Sequence, residues 1–426
     1  MSKTAPFDNI TLKITVMLSN STHFDTRKEA MDTLSKIFYS NYKHHRQAYS
    51  ERFNSPFSVH LPLLIKQFNH NQAYPAFFYY SQDLVLVLEQ ISSLFGEFLN
   101  ILPAVNPIVC NQFTLACVVD EVHSTSNIEG IHSTHRELKD ILDGSKQDVH
   151  FSSIIKKYDL LTSGSYPAFL SCEDVRNFYD EFAHVDAIVE NPKNKLDGKV
   201  FRKEAVDVQS PSGKTIHRGV KPEESVIQAM ADALAFLNSK DYPALVRIAV
   251  FHYLFVYIHP FYDGNGRTAR FISSCGLAKH LHYLIALRLS VTIKNNKSKY
   301  YSLLKDTDAE TNCGDVTPFI CGFLGFVAET IKDINRKLRH KIVQLERIRG
   351  KLSAVLPDDE DVQNIGWLML QASAFYGRGI SMQELMAFIG KSRNTIKKKF
   401  QVMPVRAVYV PNTRKKFYKI DWTAMR

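Results

Sequence analysis

The sequence predicts a mainly α-helical protein with a small β-hairpin in its middle and a winged helix-turn-helix near its C-terminus. Three observations carry this prediction. Turn-forming residues are sparse, with 18 Gly and 16 Pro among 426 residues, and apolar residues recur at helical spacing over long stretches. A short alternating segment, residues 205–208, is followed by Ser-Pro-Ser-Gly and by a second such segment, residues 215–220. Residues 381–420 read in turn as helix, turn, helix and β-hairpin.

The helices can be placed from their start and stop signals. Pro107 opens a helix that runs from about residue 108 to residue 128 and ends before Gly130. Pro243 stands where a strongly apolar helix, residues 244–257, begins. Further helical periodicities cover residues 26–40, 79–102, 226–237 and 318–349.

The C-terminal elements carry clear capping signals. Ser381 and Glu384 form a capping box at the start of a short helix, and Ser392 caps a second helix, residues 393–400. Residues 405–420 then alternate, turn at Pro-Asn-Thr-Arg and return, as in the wing of a winged helix.

The composition is that of a globular protein. Hydrophobic residues make up 45% and charged residues 23% of the chain, which excludes a disordered or low-complexity protein. The first nine residues lack the basic-then-apolar order of a secretory signal. We take residues 244–258 as the longest apolar stretch. It contains Arg247 and His252 and is too short to span a bilayer. Six scattered cysteines without a Cys-x-x-Cys pair are typical of reduced cytosolic thiols. We therefore expect a cytoplasmic protein with no membrane partner.

The net charge of +10 is concentrated at the C-terminal end. Residues 378–426 carry 12 of the 53 Lys and Arg residues but only 2 of the 43 acidic ones, so the rest of the chain is neutral. Basic and amide side chains lie where winged helices meet nucleic acid, on the second helix and in the wing turn: Arg393, Asn394, Lys397, Lys398, Lys399, Arg414, Lys415 and Lys416. DNA is therefore one candidate partner. A protein-docking module, including one that joins two copies of the chain as a homodimer, is the alternative.

Residues 259–270, His-Pro-Phe-Tyr-Asp-Gly-Asn-Gly-Arg-Thr-Ala-Arg, combine features of an anion-binding site. Gly264 and Gly266 permit positive φ, so consecutive backbone N–H groups can turn inward as a nest. The helix that follows aims its positive end at the same point. Arg267 and Arg270 are three residues apart, so both can reach phosphate oxygens from one helix face.

Two further side chains of this stretch suit nucleotidyl or phosphoryl transfer. Asp263 offers one carboxylate to Mg²⁺, which commonly takes one or two protein carboxylates and fills its shell with phosphate oxygens and water. His259 precedes the nest and could take a proton from an incoming hydroxyl. A plain Gly-Asn-Gly turn beside a structural histidine would not explain why these groups converge on one anion.

The stretch resembles the signature of the Fic (filamentation induced by cAMP) family, His-x-Phe-x-Asp/Glu-Gly-Asn-Gly-Arg-x-x-Arg, at every fixed position. The resemblance extends over roughly residues 110–335. It implies a mostly helical Fic core that transfers AMP from ATP to a protein hydroxyl. It further implies that His259 is the general base, that Asp263 is the magnesium ligand, and that phosphate is held by Gly264, Asn265, Gly266, Arg267 and Arg270.

A second match lies upstream of this signature. Residues 125–130, Thr-Ser-Asn-Ile-Glu-Gly, resemble the inhibitory motif Ser/Thr-x-x-x-Glu-Gly/Asn of many Fic proteins. The resemblance implies that Glu129 pairs with Arg270 and displaces the γ-phosphate of ATP, because one carboxylate both neutralises the arginine and repels the triphosphate. In some relatives the same glutamate aligns a water that removes AMP, so deAMPylation stays open as an alternative.

Two further segments resemble parts of the family more loosely. The first hairpin strand, with Val206, Asp207, Val208 and Gln209, is similar to the flap whose edge pairs with the target backbone. Relatives often have Gly where this chain has Gln209. Tyr300 and Tyr301 resemble paired tyrosines beside the adenosine site, and helix packing is the alternative. His252 is interpreted as a core histidine.

Together these features predict four parts: an N-terminal helical region (1–109), a Fic core with its inhibitory helix (110–335), a linking helix (336–361) and a winged helix-turn-helix (362–426). The predicted function is Mg²⁺-dependent AMP transfer from ATP to Ser, Thr or Tyr of a protein, or of the chain itself, restrained by Glu129. A DNA-binding regulator whose Fic core senses nucleotide is the competing hypothesis.

Overall fold

The protein is described by a computed structural model over residues 32–146, 155, 158–184, 187–188, 191–209 and 213–421. Over these residues it is mainly α-helical, as predicted. The helices, numbered in chain order, are α1 (Leu34–Ser40), α2 (Tyr42–Phe53), α3 (Gln82–Ile101), α4 (Pro107–Ile128), α5 (His135–Asp143), α6 (Cys172–Phe182), α7 (Glu223–Asn238), α8 (Ala244–Ile258), α9 (Asn265–His280), α10 (Tyr283–Ala286), α11 (Leu289–Asn295), α12 (Lys297–Asp308), α13 (Thr317–Val355), α14 (Glu360–Gln371), α15 (Met382–Ile389) and α16 (Arg393–Phe400). The strands are β1 (Ser58–Lys66), β2 (Ala73–Tyr79), β3 (Asp207–Gln209), β4 (Thr215–Arg218), β5 (Ile380–Ser381), β6 (Val405–Tyr409) and β7 (Lys416–Ile420).

The capping signals place the helix ends as the sequence predicted. Pro107 is the first residue of α4, and the Asn106 side chain accepts a hydrogen bond from the N–H of Ile108 at 2.8 Å. The capping box of Ser381 and Glu384 is formed at the start of α15. The predicted helix over residues 26–40 begins outside the described residues, and its C-terminal part is α1, which Thr33 caps.

The N-terminal region contains a β-hairpin, which corrects the prediction that it is helical. Strands β1 and β2 pair antiparallel from Ser58↔Tyr79 to Lys66↔Ala73, with an irregularity between His60 and Leu64. The hairpin was missed because Pro62 and Pro75 lie inside the strands, where proline removes a ladder hydrogen bond and weakens the strand pattern. The helix predicted over residues 79–102 therefore starts only at Gln82, with Ser81 as its cap.

Helix α3 lies against the long helix α13, and the Asn335 amide donates to the Leu94 carbonyl at 3.0 Å. Residues 82–104, which include an 18-residue window with a mean hydropathy of 1.4, are long and apolar enough to cross a membrane by length and composition. This stretch is longer than residues 244–258, so the prediction that residues 244–258 are the longest apolar stretch was wrong. A core helix of a soluble protein can have the same length and composition.

Helix α8 is the centre of the core, with twelve of its fifteen residues buried. It packs against α7, α9 and α13, so the loop that joins α8 to α9 is held by the core on both sides. His252 lies fully buried in α8, with Nδ1 at 2.9 Å from the Ser273 hydroxyl and Nε2 at 2.9 Å from the Tyr300 hydroxyl. This confirms its interpretation as a core histidine.

The C-terminal elements follow the predicted order of helix, turn, helix and hairpin. Strands β6 and β7 pair antiparallel, and β5 adds a third strand in the order β5-β7-β6. The wing turn touches the end of α5: Lys415 Nζ donates to the Asp143 carbonyl at 2.8 Å, and the Asn412 amide donates to the Ser145 carbonyl at 3.3 Å. The domain boundary predicted at residues 335 and 336 falls inside the continuous helix α13.

Candidate active site

His259 ends α8 in the left-handed region, with φ of 55°. Its Nδ1 lies 3.1 Å from the Val256 carbonyl oxygen, and because a carbonyl can only accept, Nδ1 carries the proton and Nε2 keeps its lone pair. Burial, and then the positive charge of His217, lower the pKa of His259 to about 3. The imidazole is therefore neutral at physiological pH and can act as a base.

At the glycine-rich turn only Gly264 adopts the left-handed conformation that was predicted for both glycines, because Gly266 already lies in the first turn of α9. Gly264 adopts φ of 77°, and helix α9 starts at the next residue, so the first N–H groups of α9 have no intrahelical acceptors. The Asn265 side chain is buried and fixes the turn, because its amide accepts from the Phe261 N–H at 3.0 Å and donates to the Phe261 carbonyl at 2.8 Å. Thus the backbone of Asn265 faces the nest, while its side chain holds the loop.

Asp263 and Arg267 stand together at the mouth of this nest. Asp263 Oδ2 lies 3.3 Å from Arg267 Nη2, and the Asp263 side chain is 34% exposed while that of Arg267 is buried. Among the described residues, no cluster of three or more His, Cys, Asp or Glu side chains could hold a metal ion. A single accessible carboxylate fits Mg²⁺ that takes its remaining ligands from phosphate and water.

Glu129 and Arg270 form the ion pair that the inhibitory motif implied. Glu129 Oε1 lies 2.6 Å from Arg270 Nη2, and Arg270 also donates to the Thr125 hydroxyl at 3.0 Å and to the Thr125 carbonyl at 3.1 Å. Burial disfavours the Arg270 charge, but Glu129 outweighs this and raises the pKa of Arg270. A Cβ at Gly266 would collide with the Glu129 carboxylate, so that carboxylate lies over the first turn of α9.

The hairpin lies over the His259 side of the site. β3 pairs with β4 at Asp207↔Arg218, Val208↔His217 and Gln209↔Thr215, with an irregularity between Val208 and Gln209. The tip of its turn, residues 210–212, lies outside the described residues. Val206 precedes the strand, and its carbonyl accepts from the Gly219 N–H at 3.0 Å.

His217 of β4 anchors the hairpin to the core. Its Nε2 lies 2.7 Å from the Tyr257 carbonyl, and its Nδ1 lies 3.2 Å from the Asp308 carboxylate. Burial disfavours its charge, but Asp308 and the Tyr257 carbonyl together raise the pKa of His217. The charged form therefore satisfies both acceptors, and its ring lies 6.5 Å from that of His259.

Arg202 is a site residue that sequence reasoning missed. Its guanidinium is fully buried and donates only to backbone carbonyls in the contacts described: to His259 at 2.8 Å, Val220 at 2.8 Å, Glu204 at 2.6 Å and Ile258 at 3.3 Å. It thus joins both ends of the hairpin to the backbone of His259. No local pattern marks it, because the His259 carbonyl is 57 residues away in the sequence.

The two tyrosines have different surroundings. Tyr300 is buried and bonded to His252, as the packing interpretation expects. Tyr301 is 36% exposed, and its ring stands at 64° to that of Tyr300 with centroids 5.4 Å apart. Lys297 lies over the Tyr301 ring at 5.9 Å and donates to the Ile128 carbonyl at 2.7 Å, so it ties the end of α4 to α12.

The arrangement brings together a neutral imidazole, a helix N-terminus, two buried guanidinium groups and one accessible carboxylate. An anion held in the nest would meet the charges of Arg267 and Arg270, and a hydroxyl beside Nε2 of His259 could be deprotonated. These groups can support transfer of a phosphate-containing group to a hydroxyl.

Comparisons with known proteins agree with this fold. Our structure resembles the crystal structure of a Fic family protein from Desulfovibrio desulfuricans, with a TM-score of 0.50, 18% identity, and coverage of 81% of this chain and 97% of that chain. This likeness identifies the class as a Fic-type helical fold. Residues 169–275 match the model of the Fic/DOC family. Over these residues the chain is similar to the Fic/DOC family.

Curated relatives match over shorter stretches. "Protein adenylyltransferase fic-1" of Caenorhabditis briggsae is 26% identical over 202 residues, which is 47% of this chain and 38% of that protein. "Protein adenylyltransferase Fic" of Nematostella vectensis is 39% identical over 88 residues, which is 20% of this chain and 18% of that protein. The chain thus spans well under half of these relatives' length.

Proposed function

We propose that this protein transfers AMP from ATP to the hydroxyl of a Ser, Thr or Tyr residue of a protein, which includes the chain itself. The observation that carries the proposal is the neutral His259 beside a glycine-rich anion nest with two buried arginines. The names of the relatives, which are protein adenylyltransferases, support the same reaction.

The reaction is a single displacement at the α-phosphorus. His259 Nε2 takes the proton of the acceptor hydroxyl, the hydroxyl oxygen forms a bond to the α-phosphorus, and the bond to the β-phosphate oxygen breaks, releasing pyrophosphate. Arg267, Arg270 and the first N–H groups of α9 hold the triphosphate. The edge of the hairpin at Asp207–Gln209 would pair with the target backbone and present its hydroxyl.

Asp263 is the residue that would hold Mg²⁺ together with phosphate oxygens. The ion would neutralise charge that develops on the phosphates. Our support for this assignment is the exposure of the Asp263 carboxylate beside the nest.

We further propose that Glu129 inhibits the transfer. Its carboxylate pairs with Arg270 and lies over Gly266, which is where the phosphate chain would approach the first turn of α9. A bound triphosphate would have to displace one carboxylate and meet its repulsion, so the wild-type chain should transfer AMP slowly.

The test is label transfer from α-labelled ATP with Mg²⁺, comparing wild type, Glu129→Gly and Glu129→Gly/His259→Ala, with intact mass to identify the adduct. Glu129→Gly should raise labelling at least about tenfold, because hydrogen bonds to charged groups are worth about 1.5–3 kcal/mol. The double variant should label no more than background. Equal labelling by wild type and Glu129→Gly would refute inhibition. Absence of labelling in all three, together with AMP release from a modified target, would replace transfer by deAMPylation.

A nucleic-acid contact is a second candidate function. On α16 the side chains of Arg393, Asn394, Lys397 and Lys398 are exposed, and their spacing places them on one side of this helix. Such a row of cations suits phosphate contacts in DNA. This surface is separate from the transfer site, so both functions can reside in one chain.

A further inference from the structure

A cavity of about 230 Å³ lies behind the inhibitory helix α4. Its wall includes Phe113 and Asp120 of α4, and residues of α5 and α13, Arg288 at the start of α11 and Phe375 complete it. Asp120 and Glu129 are nine residues apart, which at about 100° per residue places them on opposite sides of a helix. A molecule in this cavity would therefore touch the inhibitory helix without touching the transfer site.

The polar lining of the cavity is mostly cationic. Lys139, Arg288 and Lys337 face it with permanent positive charge, and Asp120 is its single carboxylate. Arg288 is 4% exposed and lies 3.0 Å from Asp120 and 3.3 Å from Asp333. Arg288 thus forms ion pairs with carboxylates of both α4 and α13.

The carboxylates around the cavity do not balance its cations. Asp333 is shared by Arg288 at 3.3 Å, Lys337 at 2.8 Å and Arg336 at 2.7 Å. His135 lies 3.2 Å from Asp120, so it adds a further charge when protonated. A concave site with an excess of one sign of charge concentrates ions of the opposite sign.

The remaining lining is apolar and aromatic. Phe113 and Phe375 stand 4.6 Å apart between ring centroids, and Val119 lies beside them. At about 30 Å³ per water molecule the cavity has room for roughly eight waters. This is below the usual size of nucleotide or drug-sized sites, at about 300–1,000 Å³. The lining thus suits a small apolar body that carries one anionic group.

We propose that this cavity binds a small organic anion, a carboxylate or phosphate on a compact apolar body, and that the bound anion strengthens inhibition. The cations lie on α5, on α13 and, with Arg288, at the start of α11, whereas α4 supplies Phe113 and Asp120, so the complete lining exists only while α4 is docked as observed. A ligand favours the conformation to which it binds more tightly, and the docked α4 is the one that places Glu129 on Arg270.

The binding test uses the full-length chain and isothermal titration with four probes: phenyl phosphate, benzoate, inorganic phosphate and benzyl alcohol. Phenyl phosphate and benzoate, which carry both anion and ring, should each saturate one site. Inorganic phosphate and benzyl alcohol should bind at least about tenfold more weakly, because each lacks one half of the required chemistry. Equal binding of phenyl phosphate and inorganic phosphate would overturn the proposal.

Variants locate the site. Lys139→Gln/Lys337→Gln should weaken phenyl phosphate binding at least about tenfold. Lys305→Gln/Lys351→Gln removes the same charge from exposed positions outside the cavity and should leave binding unchanged. Arg267→Gln, which weakens the active-site nest, should also leave it unchanged. Loss of binding in Arg267→Gln but not in the Lys139/Lys337 variant would place the anion in the nest and refute the cavity.

The proposed effect of the anion on inhibition rests on the proposed transferase function, whereas the proposed binding of the anion to the cavity does not. Phenyl phosphate should slow labelling by the wild-type chain and leave labelling by Glu129→Gly unchanged, because that variant has no carboxylate to position. If phenyl phosphate binds the cavity but does not change labelling by the wild-type chain, the cavity binds the anion and the proposed effect on inhibition is wrong. Absence of labelling in every variant, with binding intact, would count against the proposed function and not against the cavity.

Discussion

His259 shows how one backbone torsion prepares a side chain for chemistry. A histidine with φ of 55° is uncommon, and such residues persist where the surroundings hold them in place. Here the backbone carbonyl of His259 is held by Arg202 and its Nδ1 by the Val256 carbonyl. The remaining nitrogen, Nε2, is therefore left to accept a proton.

The lowered pKa of His259 predicts an unusual pH dependence. A histidine of ordinary pKa, near 6.5, would lose half its capacity as a base at about pH 6.5. With a pKa of about 3, His259 stays neutral well below that pH. In the Glu129→Gly background, we therefore expect no fall in transfer rate due to His259 between about pH 8 and pH 5. The measurement is the pH profile of kcat.

His217 provides the control for this profile. Its positive charge is one cause of the low pKa of His259, so His217→Gln should raise the pKa of His259. The acid limb of kcat should then move to higher pH. An acid limb near pH 6.5 in the parent enzyme, with no change in His217→Gln, would contradict the assignment of His259 as a neutral base.

At the level of elements, Arg202 joins the hairpin to the end of α8. We expect Arg202→Lys to lower kcat at least about tenfold while KM for ATP changes less than about twofold, because the triphosphate site on α9 is untouched. A lysine cannot replace the planar set of donors that meets four carbonyls. Steady-state kinetics in the Glu129→Gly background measure both constants.

Arg176→Lys is the matched control for Arg202. Arg176 also donates to a backbone carbonyl of the same segment, that of Val200 at 2.9 Å, but it makes no described contact with His259. The Arg176→Lys variant should therefore have a kcat within about twofold of that of the parent enzyme. If Arg202→Lys raises KM and lowers kcat to a similar extent, the substitution loosens the fold in general. That result would contradict a positioning role for Arg202.

The C-terminal end of α4, which carries the proposed inhibitory Glu129, makes a second contact besides the Glu129–Arg270 pair. Lys297 donates to the Ile128 carbonyl at the C-terminus of α4, where a cation is favoured by the helix dipole. Lys297→Gln should free this end and raise wild-type labelling by several-fold, about 1 kcal/mol in free energy. The same substitution in Glu129→Gly should have no effect.

Lys305→Gln, an exposed change on the same helix α12, serves as the control and should leave wild-type labelling unchanged. Equal increases with and without Glu129 would show that Lys297 acts on the transfer site itself. In that case the proposal that Lys297 holds the inhibitory helix would be wrong.

The sequence predicted those elements whose signals are local. Residues 259–270 place the base, the nest and both arginines in one short stretch, and caps such as Ser381 mark helix ends. The hairpin of β1 and β2 was missed because prolines interrupt its pattern. Arg202 and His217 were missed because their partners are distant in the chain, with Tyr257 lying 40 residues from His217. Only the tertiary fold brings such partners together.

At the scale of the whole molecule, α13 and the wing turn connect the helical core to the C-terminal elements. Helix α13 has 39 residues, which is about 58 Å at 1.5 Å per residue, and it leads from the Fic core to the C-terminal elements. The wing then returns to α5 through Lys415 and Asn412. Helix α5 begins six residues after Glu129, so the C-terminal elements touch the segment that follows this glutamate.

The charge of the C-terminal elements is only partly balanced within the chain. Lys399 lies 2.5 Å from Asp359, and Lys415 is held by the Asp143 carbonyl. The exposed cations of α16, Arg393, Lys397 and Lys398, lie away from these contacts. A DNA-binding surface should therefore be centred on α16 rather than on the wing.

We expect binding to duplex DNA that weakens steeply with salt, and Arg393→Gln/Lys397→Gln/Lys398→Gln should reduce the slope of log K against log salt by about 3, or 0.9 for each lost phosphate contact. Fluorescence anisotropy between roughly 50 and 200 mM salt measures this slope.

The control is a second triple variant, Lys305→Gln/Lys332→Gln/Lys351→Gln. It removes the same charge from other exposed positions and should leave the slope unchanged. If both triple variants lower the slope equally, attraction is general and α16 is not a DNA interface. If the wild-type chain does not bind DNA at about 50 mM salt, the basic surface serves a protein partner instead.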